Sequence, residues 1–319
     1  MIRMGANWEI GSLSAAPEEK TKDYLTLPTI EEKLPAFLIN GSEEGPKVLV
    51  LGGIHGCEYT SIDAAQKLGA TLDPTQVKGK VIVLPIANPA SFYARSIYVH
   101  PRDQKNLNRM FPGDPNGTDA ERLAYWLNEL VFKQVDYIID LHGGDMIEAL
   151  VPFSIYHVTK DEKILETSKE MASLFDIEYV IGSSGQVPGS TYGCAAEQGI
   201  PAIIAEAGQQ GILSGEHSVL LQDGVKNILM SLGVLEGEVK KSDSTYISVF
   251  DWYRSDFKGL WYPAVLIGDT VKKGQVLGKL TNEFGETVKE IVSNTEGVVL
   301  FLVSSLAIND NDPLLAVGA

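Results

Sequence analysis

Cysteine is scarce, positive charge is in deficit and long apolar runs are missing, and each shortage removes a class of function. There are only 2 cysteines, Cys57 and Cys194, far apart in the chain, so no disulfide framework holds this protein together. That agrees with a reducing compartment, and a cytoplasmic location is expected. Lys and Arg number 26 against 42 Asp and Glu, a formal net charge of -16. Gripping phosphate takes a basic stripe, and none is present, so neither nucleic acid nor an anionic membrane is an expected partner. No stretch reaches the roughly 18 uncharged apolar residues of a membrane helix. The opening MIRMGANWEIGS also lacks the apolar segment of a secretory leader. A homo-oligomer is left open.

What remains is a globular composition, 44% apolar and 21% charged over 319 residues, enough for one large α/β domain or a core with an appendage. Four short apolar runs stand out: KVLVLGG (47–53), KVIVLPIAN (80–88), YIIDLH (137–142) and PAIIAEAG (201–208). Continuous β-branched runs bounded by glycine or proline read as strands buried on both faces. Between them TSIDAAQKLGATL, TDAERLAYWLNELVFKQ and DEKILETSKEMASLF carry apolar residues at helical spacing, and another helix is expected over roughly 216–232. Strands alternating with helices predict an α/β sheet flanked by helices, with a peripheral strand or two in residues 1–45. After about residue 240 the texture changes to short strands and Gly-Asp turns, which predicts a small all-β unit. The expected domains are 1–238 and 239–319.

Each apolar run ends in a polar residue that a buried strand does not need: His55 and Glu58, Asn88, His142 and Glu206. Ligands of open α/β sheets bind outside the carboxyl ends of the strands, so these residues are expected to converge. His-x-x-Glu can meet one ion if its loop curls, and Gly52, Gly53 and Gly56 allow the curl. His142 would complete two histidines and a carboxylate, a catalytic zinc set with one position left for water. Asp140 and Asp145 are candidate partners for the His142 ring. Glu206, in the apolar AIIAEAG, is placed to act as a carboxylate of raised pKa that moves a proton. In the long loop ARSIYVHPRDQKNLNRMFPG, Arg109 beside Asn108 suits a substrate carboxylate, and Arg95 or Arg102 suits an oxyanion. Arg122, in DAERLA, reads as a surface ion pair.

The segments GGIHGCE, KNLNRMFPG, IIDLHGG and IPAIIAEAG together resemble the succinylglutamate desuccinylase/aspartoacylase family, relatives of the zinc carboxypeptidases, in the right order over residues 45–210. The resemblance implies a zinc carboxypeptidase-like mixed sheet and one zinc per chain held by His55, Glu58 and His142. It implies Glu206 as general base and acid, and Asn108 and Arg109 as holders of the substrate carboxylate. For the oxyanion it leaves Arg95 and Arg102, of which Arg95 is favoured. The implied activity is hydrolysis of the amide of a small N-acyl amino acid; the alternative is a zinc carboxypeptidase acting on short peptides. Members acting on dianionic acyl groups are expected to carry a further arginine between the third ligand and the catalytic glutamate. From Gly143 to Ala205 there is none, which favours a neutral acyl group such as acetyl. The tail resembles the half-barrels of lipoyl and biotinyl carrier domains, without a lysine at the tip SNTEGV. It reads as a structural barrel shading the site, with Tyr246, Tyr253, Trp261 and Tyr262 as candidate contributors.

Overall fold

The computed structural model describes residues 6–184 and 187–319, so the first five residues of the opening stretch lie outside it. Six helices are present among them: α1 (Tyr59–Thr71), α2 (Pro89–Ala94), α3 (Asp119–Leu130), α4 (Glu162–Ala172), α5 (Thr191–Glu197) and α6 (Gly215–Ser231). None is long and apolar enough to cross a membrane. A nine-stranded mixed sheet runs in the spatial order Thr245–Ile247, Tyr179–Ser183, Phe153–His157, Ala202–Glu206, Tyr137–His142, Glu43–Gly52, Lys78–Leu84, Lys33–Asn40, Glu19–Thr26.

Alternation along the strands explains the apolar runs. Leu49, Leu51, Ile82, Leu84 and Ile138 face a core shared with α3 and α5, whereas Val48, Val50, Val81, Val83 and Ile139 face a second core shared with α1, α4 and α6. Apart from Asp140, the centres of these strands are therefore apolar. Helix starts follow local chemistry: Asp161 and Ser214 accept backbone amides at the beginnings of α4 and α6, and the Glu121 side chain reaches back to the amide of Thr118 before α3. The expected helices over 60–72, 118–134, 161–175 and 216–232 correspond to α1, α3, α4 and α6.

Four adjacent strands, Ala202–Glu206, Tyr137–His142, Glu43–Gly52 and Lys78–Leu84, are mutually parallel, which brings their carboxyl ends to one edge. The tail forms two sheets, one containing Phe250–Arg254 and Gly297–Val303 and the other containing Val276–Thr281 and Thr287–Val292. Two exchanges tie it to the rest. Thr245–Ile247 extends the large sheet, and the short strand Glu148–Leu150 pairs with Gly297–Val303 of the tail.

Candidate active site

The curl that follows Gly52 depends on glycine at two points. Gly53 has φ +67, in the left-handed region, and a Cβ on Gly56 would lie 2.2 Å from the backbone nitrogen of Phe92 in α2. The loop passing so close to α2 aims His55 inward and leaves Glu58 immediately before α1. Its side chain caps no amide of that helix and turns instead to the histidines. His142 and Glu206 are register partners on neighbouring parallel strands. Three of the four strand ends thus converge as expected. The fourth does not: Asn88 spends its side chain capping α2 through the amide of Ser91 and donating to Ile54, because a strand running straight into a helix leaves that helix's first amides without partners.

Ligating atoms of His55, Glu58 and His142 lie within 4.8 Å of one another. The hydrogen-bond network fixes which ring nitrogens carry protons. Asn106 Oδ1 already accepts the backbone amide of Asn108 at 2.8 Å, so it is an oxygen, and His55 Nε2, 3.0 Å away, is the donor. His142 Nε2 donates to Asp140 Oδ2 at 2.9 Å, and the same carboxylate oxygen accepts the Thr191 hydroxyl at 2.5 Å. Both rings therefore present Nδ1 lone pairs to the Glu58 carboxylate, at 2.6 Å for His55 and 3.0 Å for His142. The second contact has the distance of a hydrogen bond without its geometry, and Glu58 Oε2 is buried with no hydrogen-bond partner. Two imidazole nitrogens and a carboxylate that meet at one point make the donor set of a divalent cation. His142 is held well above the usual histidine range: burial opposes this, and the Asp140 and Glu58 carboxylates outweigh it. Glu58 is held down to about 2 although burial pushes the other way, because both imidazoles stabilise its charge.

Glu206 stands well above the ordinary carboxylate range, pushed up first by burial and then by the charges of Glu58, Glu148 and Asp140, with His142 opposing. It lines a cavity of about 700 Å³ together with His55, Glu58, His142, Asn108 and Arg109. Asn108 Oδ1 accepts the amide of Thr191 at 2.8 Å, which leaves its NH2 group for the cavity. Arg109 donates to the carbonyl of Asn108 at 2.7 Å, and its remaining donors have no carboxylate partner among the described residues.

The other loop arginines go elsewhere. Arg95 ends α2 in a left-handed conformation with an exposed side chain, and it does not line the cavity. Arg102 pairs with Glu32 and Asp119 on the surface, and Arg122 pairs with Asp119. The path of the loop is the cause. Asp145 makes no hydrogen bond to His142; it accepts the amide of Tyr98 at 2.6 Å, and Tyr98, Asn106, Asn108 and Arg109 line the cavity while Arg95 and Arg102 do not.

Three charged cavity residues were not foreseen from sequence: Glu148, and Asp251 and Arg254 of the tail. Glu148 follows the third strand end in GGDMIEAL, where a carboxylate among apolar residues was the available signal. Arg254 comes from the tail, so the lack of arginine between Gly143 and Ala205 does not leave the cavity with a single one. The tail's aromatic contribution also differs from expectation. Trp261 and Tyr253 are buried in its own core, Tyr246 and Tyr262 are exposed, and Phe250 and Trp252 line the cavity instead. Those two rings stack edge to face at 5.2 Å, and Trp252 meets Phe301 at 5.0 Å.

Fold and site together define a mixed α/β protein with three possible metal ligands and a glutamate of raised pKa at the carboxyl ends of parallel strands. Residues 44–232 match the succinylglutamate desuccinylase/aspartoacylase catalytic domain, and the chain belongs to that family of deacylases. It is 31% identical over 284 residues to the N-alpha-acetyl-L-2,4-diaminobutyric acid deacetylase of Halomonas elongata, covering 86% of this chain and 82% of that one. The product-bound structure of the ectoine utilization protein EutE (DoeB) from Ruegeria pomeroyi superposes with a TM-score of 0.86 at 26% identity, over 94% of this chain and 95% of that one. A succinylglutamate desuccinylase/aspartoacylase structure from Rhodobacter sphaeroides, with a TM-score of 0.84 at 24% identity and the same coverage, shares the fold.

Proposed function

We propose that this protein is a zinc-dependent deacylase of N-acyl amino acids, and that its substrate is an acetylated diamino acid of the kind named for the Halomonas elongata relative. The observation that carries the metal assignment is the meeting of His55, Glu58 and His142, the last two buried and Glu58 Oε2 without a hydrogen-bond partner, beside a glutamate of raised pKa. His55, Glu58 and His142 would hold the ion; bound zinc acidifies a water and polarises an acyl carbonyl.

The protein's own groups do the rest. Asn108 and Arg109 hold the substrate carboxylate, the guanidinium supplying a planar fork. Glu206 takes the proton of the attacking water and delivers it to the amine nitrogen as the C–N bond breaks. Asp140 and Asn106 keep the histidine rings in the tautomer that leaves Nδ1 free. Arg95 has no part in this reading, since it lies outside the cavity; Tyr98 and Arg254 are the donors within it. A cavity of about 700 Å³ suits a small molecule better than a peptide groove. The two free, buried cysteines accord with a cytoplasmic enzyme.

The test is metal analysis of the purified protein together with a panel of N-acetyl, N-succinyl and N-aspartyl amino acids. Stoichiometric zinc and preferential turnover of acetylated substrates are expected. Absence of bound metal, or preference for a dianionic acyl group, defeats the respective half of the proposal.

A further inference from the structure

We propose that Glu148 reads the substrate's side chain, holding a cationic nitrogen on the amino acid that bears the acyl group, which makes the substrate class α-N-acylated diamino acids. The inference rests on the deacylase reading above and assigns its selectivity to one residue. Glu148 opens the strand Glu148–Leu150, where its register partner is Val303 of the tail, so its backbone is fixed at the junction of the two sheets. Oε2 accepts the amide of Asp145 at 3.1 Å, and no Lys, Arg or His among the described residues forms an ion pair with this carboxylate. A glutamine oxygen would satisfy the Asp145 amide equally well, so the hydrogen bond does not explain a carboxylate.

The surroundings make an uncompensated charge costly. Burial, then Asp145, then Glu58 push the Glu148 carboxyl up to about 7. The charged groups that share its surroundings are Asp145 and Glu58, with His55, Tyr98, Arg109, Glu206, Asp251 and Arg254 around the same cavity. The two arginines without carboxylate partners suit a substrate carboxylate. Of the other carboxylates that lack an ion pair with Lys or Arg, Glu58 faces the histidines and Glu206 is the proton carrier of the proposed reaction, while Asp145 accepts two backbone amides and Asp251 accepts the Tyr253 hydroxyl. Glu148 has no such use, and a side-chain ammonium would supply its missing charge. One ligand carrying both groups would satisfy the arginines and Glu148 together.

Two acetylated amino acids of nearly equal shape separate the idea from its rivals: α-N-acetyl-L-2,4-diaminobutyrate, with a side-chain ammonium, and N-acetyl-L-norvaline, with a methyl in its place. The wild type is expected to favour the cationic substrate in kcat/KM by about tenfold or more. Glu148→Gln should remove most of that preference, chiefly by raising KM for the cationic substrate, with zinc content unchanged. A wild type without preference, or a variant in which both substrates lose equally, overturns the proposal. Calorimetric binding of the free amino acids L-2,4-diaminobutyrate and L-norvaline provides a second reading that needs no turnover. Tighter binding of the diamino acid to the wild type alone supports the subsite even if no acyl substrate is cleaved, an outcome that would sink the deacylase reading separately. Equal affinities for the two amino acids refute the subsite whether or not the variant folds.

Discussion

The floor of the cavity is built from strand ends that carry His55, Glu58, His142 and Glu206, whereas its roof is one side of the strand Phe250–Arg254. On the floor each histidine is tied through its second ring nitrogen to a further polar group, Asp140 or Asn106, and both of these are themselves hydrogen-bonded. The roof offers Phe250, Trp252 and Arg254, held by ring contacts and by a single hydrogen bond from Arg254 to the carbonyl of Asn311 at 2.9 Å. Groups that move protons or hold an ion fail if displaced by an ångström, so they sit where two layers of hydrogen bonds fix them. Groups that select a substrate by shape tolerate looser support. On the proposed reading chemistry belongs to the floor and selection to the roof, with Glu148 at the seam between them.

Changes at the floor should be the most damaging. Stripping the metal with a chelator is expected to reduce hydrolysis to background, and zinc should restore it while raising the thermal midpoint, because a ligand bound only to the native state stabilises it. Glu206→Gln should lower kcat by about a thousandfold with zinc retained, the usual scale for losing a proton-transfer group. Steady-state kinetics beside metal analysis checks both; appreciable turnover by the variant would mean that another group moves the proton. Arg109→Lys should raise KM by about tenfold with a smaller change in kcat, since an ammonium cannot reproduce the planar fork. At the roof, Trp252→Ala should change KM by only about fivefold and leave zinc content intact. A roof variant that lost its metal would break the division outright.

The seam gives a prediction about stability rather than rate. Glu148 binds its proton more tightly in the folded protein, near 7, than in the unfolded chain. Its contribution is thus present at low pH and is lost as pH rises from the ordinary carboxylate range through about 7. In metal-free protein Glu148→Gln should match the wild type near pH 4.5 and exceed it at pH 8 by on the order of 2 kcal/mol. Denaturant midpoints at the two pH values measure this directly. A variant that is less stable at pH 8 would show that the carboxylate has a cation partner in the folded chain.

Much of the floor is legible in the sequence because strand interiors leave only one explanation for a polar residue at their ends. His55, Glu58, His142 and Glu206 follow apolar runs, and the parallel register that aligns them follows from strands alternating with helices. Asn88 obeys the same pattern and means something different, since a helix that starts directly after a strand also needs a polar residue there. Arg95 and Arg102 were plausible from composition, but they do not line the cavity, and between them in the loop Asp145 accepts the Tyr98 amide, a contact 47 residues apart in the chain. Glu148 and Arg254 were invisible as a pair, because they share a cavity only after a strand from each region has crossed to the other's sheet.

By itself, then, the sequence determined the two-faced sheet and the meeting of His55, Glu58, His142 and Glu206 at one edge, because these depend on local pattern and on the carboxyl ends of parallel strands. Only the tertiary structure decided which arginines reach the cavity and which aromatic rings line it. Those outcomes depend on pairing between residues 148–150 and 297–303, and no local periodicity encodes a contact made at that distance along the chain.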